Sequence, residues 1–143
     1  MKLATFLFIN FVVAFLSDVI LNDLSTNSDF LHSLKPYFQD QSIIKSGLYA
    51  AITIEVALII TIVVFYALLG SFLPTNNTHL LYFCFIAFLV GYLMDVAIDK
   101  FRVFGNRLVL YYKEFGAGFW GAAAFLFSIL ASYFIQKQIL PHL

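Results

Sequence analysis

Charged residues are scarce in this sequence: only 11% of its 143 residues are Asp, Glu, Lys or Arg, whereas 62% are hydrophobic. A water-soluble domain carries roughly 25% charged residues, so this composition excludes a surface that water alone solvates. The eight basic and eight acidic residues cancel, which removes the net positive charge that would recruit nucleic acid. We therefore expect a lipid bilayer as the main partner and no nucleic acid.

The sequence also lacks the patterns of common active sites. Cys84 is the single cysteine, which excludes an internal disulfide and a cysteine-based metal site. The histidines lie far apart in the sequence, at His32, His79 and His142. No glycine-rich phosphate loop and no serine with His and Asp partners is present. The sequence therefore predicts no cofactor and favours a non-enzymatic protein.

Four long apolar segments account for most of the chain. Each approaches the ~20 residues that a helix needs to cross a bilayer, and none alternates in polarity as a membrane strand would. The segments are 3–21, 48–69, 80–98 and 116–135. No small-x-small cleavage site follows the first, so we interpret it as a retained helix. The sequence predicts an all-α integral membrane protein, a single domain (1–143) with a four-transmembrane-helix bundle.

Two of the three connections contain aromatic and apolar residues among polar ones. Residues 22–47 place apolar and aromatic side chains at near-helical spacing around Pro36: Phe30, Leu31, Leu34, Tyr37 and Phe38. Residues 99–115 mix aromatic and basic side chains. Such patterns predict short helices at the membrane interface, with an ordered re-entrant segment as the alternative for residues 101–112. The basic residues of 99–115 also suggest contact with anionic lipid headgroups.

Basic residues are distributed unevenly across the predicted membrane. The side with both termini and the 70–79 turn carries Lys2 and Lys137, and the opposite side carries six basic residues: Lys35, Lys45, Lys100, Arg102, Arg107 and Lys113. The positive-inside rule places the six in the cytoplasm. The sequence thus predicts a multi-pass protein whose termini are both non-cytoplasmic.

Four carboxylates lie in or at the ends of the apolar segments, in the half predicted to be cytoplasmic: Asp18, Glu55, Asp95 and Asp99. An ionisable group inside a membrane is a functional candidate because its unpaired burial is costly. The four could bind a cation, or they could form structural ion pairs with basic residues nearby in the sequence: Lys45, Lys100, Arg102 and Arg107. Asp95 and Asp99 share one helical face and could hold Mg²⁺ against a diphosphate. The sequence leaves these alternatives open.

Small residues form a stripe along the fourth segment: Ala117, Gly121, Ala124, Ser128 and Ser132. Small-xxx-small faces let membrane helices approach closely. The stripe predicts helix packing within the chain, with a homo-oligomer interface as the alternative.

Several short sequences in the second half resemble those of a viral protein family: Gly91-Tyr92-Leu93-Met94-Asp95, Phe104-Gly105-Asn106-Arg107-Leu108, Tyr111-Tyr112-Lys113 and Gly116-Ala117-Gly118-Phe119-Trp120-Gly121. Over residues 85–140 the chain is similar to small multi-pass membrane proteins of large nucleocytoplasmic DNA viruses, of the mimivirus and phycodnavirus type. The resemblance implies a setting, either host endomembrane or the inner membrane of a virion, and no mechanism.

Three functions follow as hypotheses. The first is a non-enzymatic viral-type protein in membrane organisation or virion assembly. The second is a small cation or proton channel or transporter that uses the acidic cluster. The third is a Mg-dependent lipid-modifying enzyme that uses Asp95 and Asp99.

Overall fold

A computed structural model describes residues 2–25, 37–38, 43–101, 108–109, 114–139 and 141. Within these residues the chain forms four long helices and two short strands. In chain order they are α1 (Leu3–Ser25), β1 (Tyr37–Phe38), α2 (Ile43–Leu69), α3 (Asn77–Phe101), β2 (Leu108–Val109) and α4 (Glu114–Phe134), which a π-helical turn (Ile135–Ile139) extends. The predicted helical class is confirmed.

All four helices are long and apolar enough to cross a membrane. Their apolar spans are Leu3–Leu21, Ile44–Leu69, Asn77–Ile98 and Gly121–Ile139. The fourth helix, Glu114–Phe134, nearly coincides with the predicted segment 116–135, and its apolar span continues into the π-helical turn. Large apolar side chains on every helix point away from the bundle: Phe8, Leu68, Phe85 and Phe127 are each 60–70% exposed. Lipid is the solvent that such an exterior requires.

The helices run antiparallel around a closed ring. Each packs against its neighbours in the sequence, and α4 also packs against α1. The Gln136 amide donates a hydrogen bond to the Lys2 carbonyl oxygen (3.3 Å), so the end of α4 lies beside the start of α1. We name this the terminal end. At the opposite end, the connection end, α1 and α3 finish and α2 and α4 begin.

The short 70–76 segment reverses the chain between α2 and α3. Gly70 ends α2 with a left-handed φ of 74°, a conformation that glycine adopts without steric cost, and its N–H donates to the Tyr66 carbonyl oxygen (2.8 Å). Asn76 then caps α3, since its Oδ1 accepts from the His79 N–H (2.9 Å). The residues that end α2 and begin α3 make their hydrogen bonds to near neighbours in the sequence, so a short segment is enough to complete the turn.

The two longer connections meet through a strand pair at the connection end. β1 and β2 are antiparallel, with Tyr37 opposite Val109 and Phe38 opposite Leu108. These four residues are extended, so the prediction of interfacial helices is wrong at these positions. The alternative for residues 101–112, an ordered re-entrant segment, stays a prediction. Aromatic and β-branched residues such as Tyr37, Phe38 and Val109 are favourable in a strand pair. The spacing of apolar residues within one segment carries no information about a strand partner that lies far away in the sequence. The remainder of both predicted interfacial helices lies outside the described residues.

The types of residue in the bundle core differ between the terminal end and the connection end. Toward the terminal end it is aromatic: Phe83 packs edge-on against Phe6 (6.4 Å between ring centroids) and Phe65 (5.1 Å). Near the middle the buried side chains include Asn10 and Ser128, and toward the connection end Ser46 is also buried. Polar groups therefore lie inside the bundle, away from lipid, as burial in hydrocarbon requires.

Candidate functional site: a polar layer inside the membrane

Three helices bring polar side chains together near the middle of their spans. Asn10 of α1 is fully buried, and its Oδ1 accepts a hydrogen bond of 2.7 Å from the Ser128 hydroxyl of α4. The same hydroxyl lies 3.5 Å from the Asn10 carbonyl oxygen. Glu55 of α2 lies beside the Asn10 side chain. We call Asn10, Glu55 and Ser128 the mid-membrane site.

The mid-membrane site is incompletely satisfied. Among the described residues, no group makes a well-formed hydrogen bond to the buried Glu55 Oε1 or to the buried Asn10 Nδ2. The Asn10 amide therefore lies beside the Glu55 carboxyl without making a well-formed hydrogen bond to it. A buried polar atom without a bond costs about 1–3 kcal/mol, so two such atoms facing one another point to something more than helix packing.

Two other acids lie nearer the connection end, each against a different helix. Asp18 of α1 accepts a hydrogen bond from the Ser46 hydroxyl of α2 (3.2 Å). Asp95 of α3 lies directly on Gly121 of α4, where a Cβ would come within 2.6 Å of the Asp95 Cγ. At 1.5 Å per residue, both contacts lie about 10–12 Å from the mid-membrane site along α1 and α4. The carboxylates therefore occupy two levels.

The other predicted site residues lie at or beyond the connection end. Lys45 is exposed at the start of α2, and Lys100 is exposed near the end of α3 with its Nζ 6.0 Å from the Phe101 ring centroid. Asp99 belongs to the same last turns of α3. Arg102 and Arg107 lie outside the described residues. Ion pairing between these groups and the acids stays a prediction.

Small residues place α4 close to α3. At Gly118 a Cβ would meet Tyr92 at 2.9 Å, and at Gly121 it would meet Asp95. Of the predicted stripe, Ser128 and Ser132 are buried and Ala124 is half-buried, while Ala117 lies in the first turn of α4. Ser132 donates within its own helix, to the Ser128 carbonyl oxygen (2.6 Å).

Asn10 and Ser46 were not among the predicted site residues. Both carried a usable signal, since Asn10 is an amide inside an apolar span and Ser46 lies one residue after Lys45. What the sequence could not supply is the rotation of each helix about its axis, which decides that Asn10 faces Glu55 and that Ser46 faces Asp18.

The fold and this site define a multi-pass helical membrane protein with a polar layer inside its bundle. The described residues hold no group of three or more His, Cys, Asp or Glu side chains arranged to bind a metal ion. No protein-family model, curated protein or solved structure matches the chain.

Proposed function

We propose that this protein is a small membrane protein that binds and passes a proton or another small cation through Glu55. The observation that carries the proposal is the buried Glu55 Oε1, which has no hydrogen-bond partner among the described residues. Glu55 as a residue is half-buried, but a carboxylate oxygen that is itself buried in a bundle without a compensating bond is costly. An ion that visits the site would offset that cost, which gives Glu55 a role that helix packing does not.

The surroundings of Glu55 fit a visiting ion better than a fixed counterion. Along α1 and α2 the nearest basic residues are Lys2 and Lys45, about 12 Å from Asn10 and about 15 Å from Glu55 at 1.5 Å per residue. On α4 the nearest is Lys137, about 13 Å beyond Ser128. A lysine side chain near a helix end extends toward the interface, which takes it further from the mid-membrane site.

Ion flux through sealed vesicles that contain the full-length protein tests this proposal. An imposed proton or sodium gradient should decay faster than in protein-free vesicles, and Glu55→Gln should return the decay to the protein-free rate. Thr61→Val is the matched control, because Thr61 is a fully buried polar residue of the same helix whose hydroxyl donates only to the Ala57 carbonyl oxygen of α2 (2.8 Å). Flux that Glu55→Gln leaves intact would contradict the proposal.

A second candidate function is membrane organisation in the viral setting that the sequence resemblance implies. The specific observation in its favour is the β1–β2 pair, which brings two residues of each long connection together. Phe101 is 73% exposed beside Lys100 at this end, an arrangement suited to headgroup contact. Loss of association with spin-labelled anionic lipid in Lys100→Gln, but not in Lys137→Gln at the terminal end, is the expected result.

A further inference from the structure

We infer that the ion bound at the mid-membrane site is the proton, and that the Asn10 amide turns over to serve both protonation states of Glu55. The inference rests on the proposed function in taking Glu55 as the ion-binding group. It adds the identity of the ion and assigns Asn10 and Ser128 as positioning residues.

The donor set at the mid-membrane site is too small for a divalent metal ion. It offers one carboxyl group, one amide and one hydroxyl, and that hydroxyl lies against Asn10. Ca²⁺ takes six to eight oxygen ligands, and Mg²⁺ requires a near-ideal octahedron. A proton needs one carboxylate oxygen and one acceptor for the resulting O–H, which this site provides.

The charged state of Glu55 corresponds to the arrangement in the structure. Ser128 donates to the Asn10 Oδ1, which turns the Asn10 Nδ2 and its hydrogens toward the Glu55 carboxylate. A carboxylate only accepts hydrogen bonds, and an amide nitrogen only donates them. This pairing therefore has the correct polarity for an ionised Glu55, although neither the amide nitrogen nor Oε1 makes a well-formed bond.

When Glu55 is neutral, the Asn10 side-chain amide rotates by half a turn, so that its Oδ1 and Nδ2 exchange positions. When a proton from bulk water binds a Glu55 carboxylate oxygen, the new O–H donates to the Asn10 Oδ1. The Asn10 Nδ2 then donates to the Ser128 Oγ. The Ser128 O–H stays intact and rotates to donate its hydrogen bond to the Asn10 backbone carbonyl oxygen, which already lies 3.5 Å from the Ser128 Oγ. Release returns the proton to water and the amide to its first position, so no other bond forms or breaks.

Other titratable groups lie at a distance from Glu55 along the helices. On α2, Tyr49 is about 9 Å toward the connection end, and Asp18 of α1 is about 12 Å from Asn10. Asp95 of α3 contacts Gly121, about 10 Å from Ser128. Cys84 of α3 packs against the apolar core. The side chain that lies beside the Glu55 carboxyl is the neutral Asn10 of α1, and Ser128 of α4 bonds to Asn10.

Infrared difference spectra between alkaline and acidic buffer test the inference on the full-length protein in nanodiscs. The wild type should show one carbonyl band of a protonated carboxylic acid that is missing from Glu55→Gln, in addition to the bands that the other carboxyl groups give in both proteins. In Asn10→Leu, which keeps the side-chain size but offers no acceptor, the band should persist at higher frequency. Ser132→Ala is the control, since Ser132 is buried on α4 but donates within its own helix, and it should leave the band unchanged.

Labelling of the wild type by a hydrophobic carbodiimide gives a test that needs no variant to fold. The reagent attacks protonated carboxyl groups in apolar surroundings, and an adduct on Glu55 is expected by mass spectrometry. No Glu55 adduct together with no Glu55 acid band would overturn the inference, as would a band whose frequency Asn10→Leu does not change. Sodium flux without an acid band would retain the proposed function and reject the proton. An acid band without flux would retain proton binding by Glu55 and reject the proposed transport function.

Discussion

Asn10 has one amide group and two neighbours that compete for it, Glu55 and Ser128. Its burial is complete, so water cannot compensate for whichever bond is missing. Interhelical hydrogen bonds in membranes contribute on average about 0.6 kcal/mol each. The Ser128 bond alone is therefore a weak reason to bury an amide at this depth, whereas a role beside an ionisable group is a stronger one.

Gly121 is the residue whose replacement should most directly disturb the α3–α4 contact. A Cβ there would lie 2.8 Å from the Asp95 Cβ and 2.6 Å from its Cγ, atoms too near the backbone to swing away. Gly121→Ala should lower the free energy of unfolding in detergent by about 1–3 kcal/mol, as overpacking typically does.

Ala123 provides the control, because it is exposed two residues further along α4. Ala123→Val should change stability by less than about 0.5 kcal/mol. Equal losses for the two variants in thermal unfolding would contradict the close contact between Gly121 and Asp95.

At the scale of the element, hydropathy predicted each helix but not all of its length. The predicted second segment, 48–69, becomes Ile43–Leu69 in the structure, and the third, 80–98, becomes Asn77–Phe101. The added residues include Lys45, Asn77 and Lys100, which lower the hydropathy without interrupting a helix. A hydropathy window measures the part of a helix that lies in hydrocarbon, whereas the ends depend on caps such as Asn76.

The strand pair could not have been predicted in the same way. β1 and β2 have two residues each, and their pairing depends on the bundle bringing two distant connections to one end. The mid-membrane site has the same origin, since Asn10, Glu55 and Ser128 come from three helices. Sequence patterns identify polar residues within a span, but their mutual contact requires the packing of the spans.

A disulfide across β1 and β2 tests that pairing. In a Cys84→Ser background, Phe38→Cys with Leu108→Cys should cross-link under mild oxidation, because directly opposed residues of an antiparallel pair have Cα atoms about 4.5–5.5 Å apart, within the range of a disulfide. Tyr37→Cys with Leu108→Cys is offset by one residue and should cross-link poorly, since successive side chains point to opposite faces. Equal yields would contradict the register.

At the scale of the whole molecule, the aromatic core and the ionisable side chains lie at different depths in the bundle. The aromatic core around Phe83 lies toward the terminal end, the mid-membrane site follows, and the Asp18–Ser46 contact lies toward the connection end. Lysines flank the bundle at both ends, with Lys137 5.4 Å from the Tyr133 ring centroid and Lys100 beside Phe101. Lysine and aromatic residues at span ends hold a helix at its depth in the bilayer.

Single-cysteine labelling in intact cells tests the central claim, that Glu55 lies inside a four-helix membrane bundle whose termini face away from the cytoplasm. A membrane-impermeant maleimide is applied to Cys84→Ser protein that carries one cysteine at position 2, 137, 45, 100 or 55. Lys2→Cys and Lys137→Cys should react from outside, Lys45→Cys and Lys100→Cys only after the membrane is opened, and Glu55→Cys from neither side of the sealed membrane. Rapid labelling of Glu55→Cys, or of Lys2→Cys and Lys100→Cys from the same side, would contradict the account.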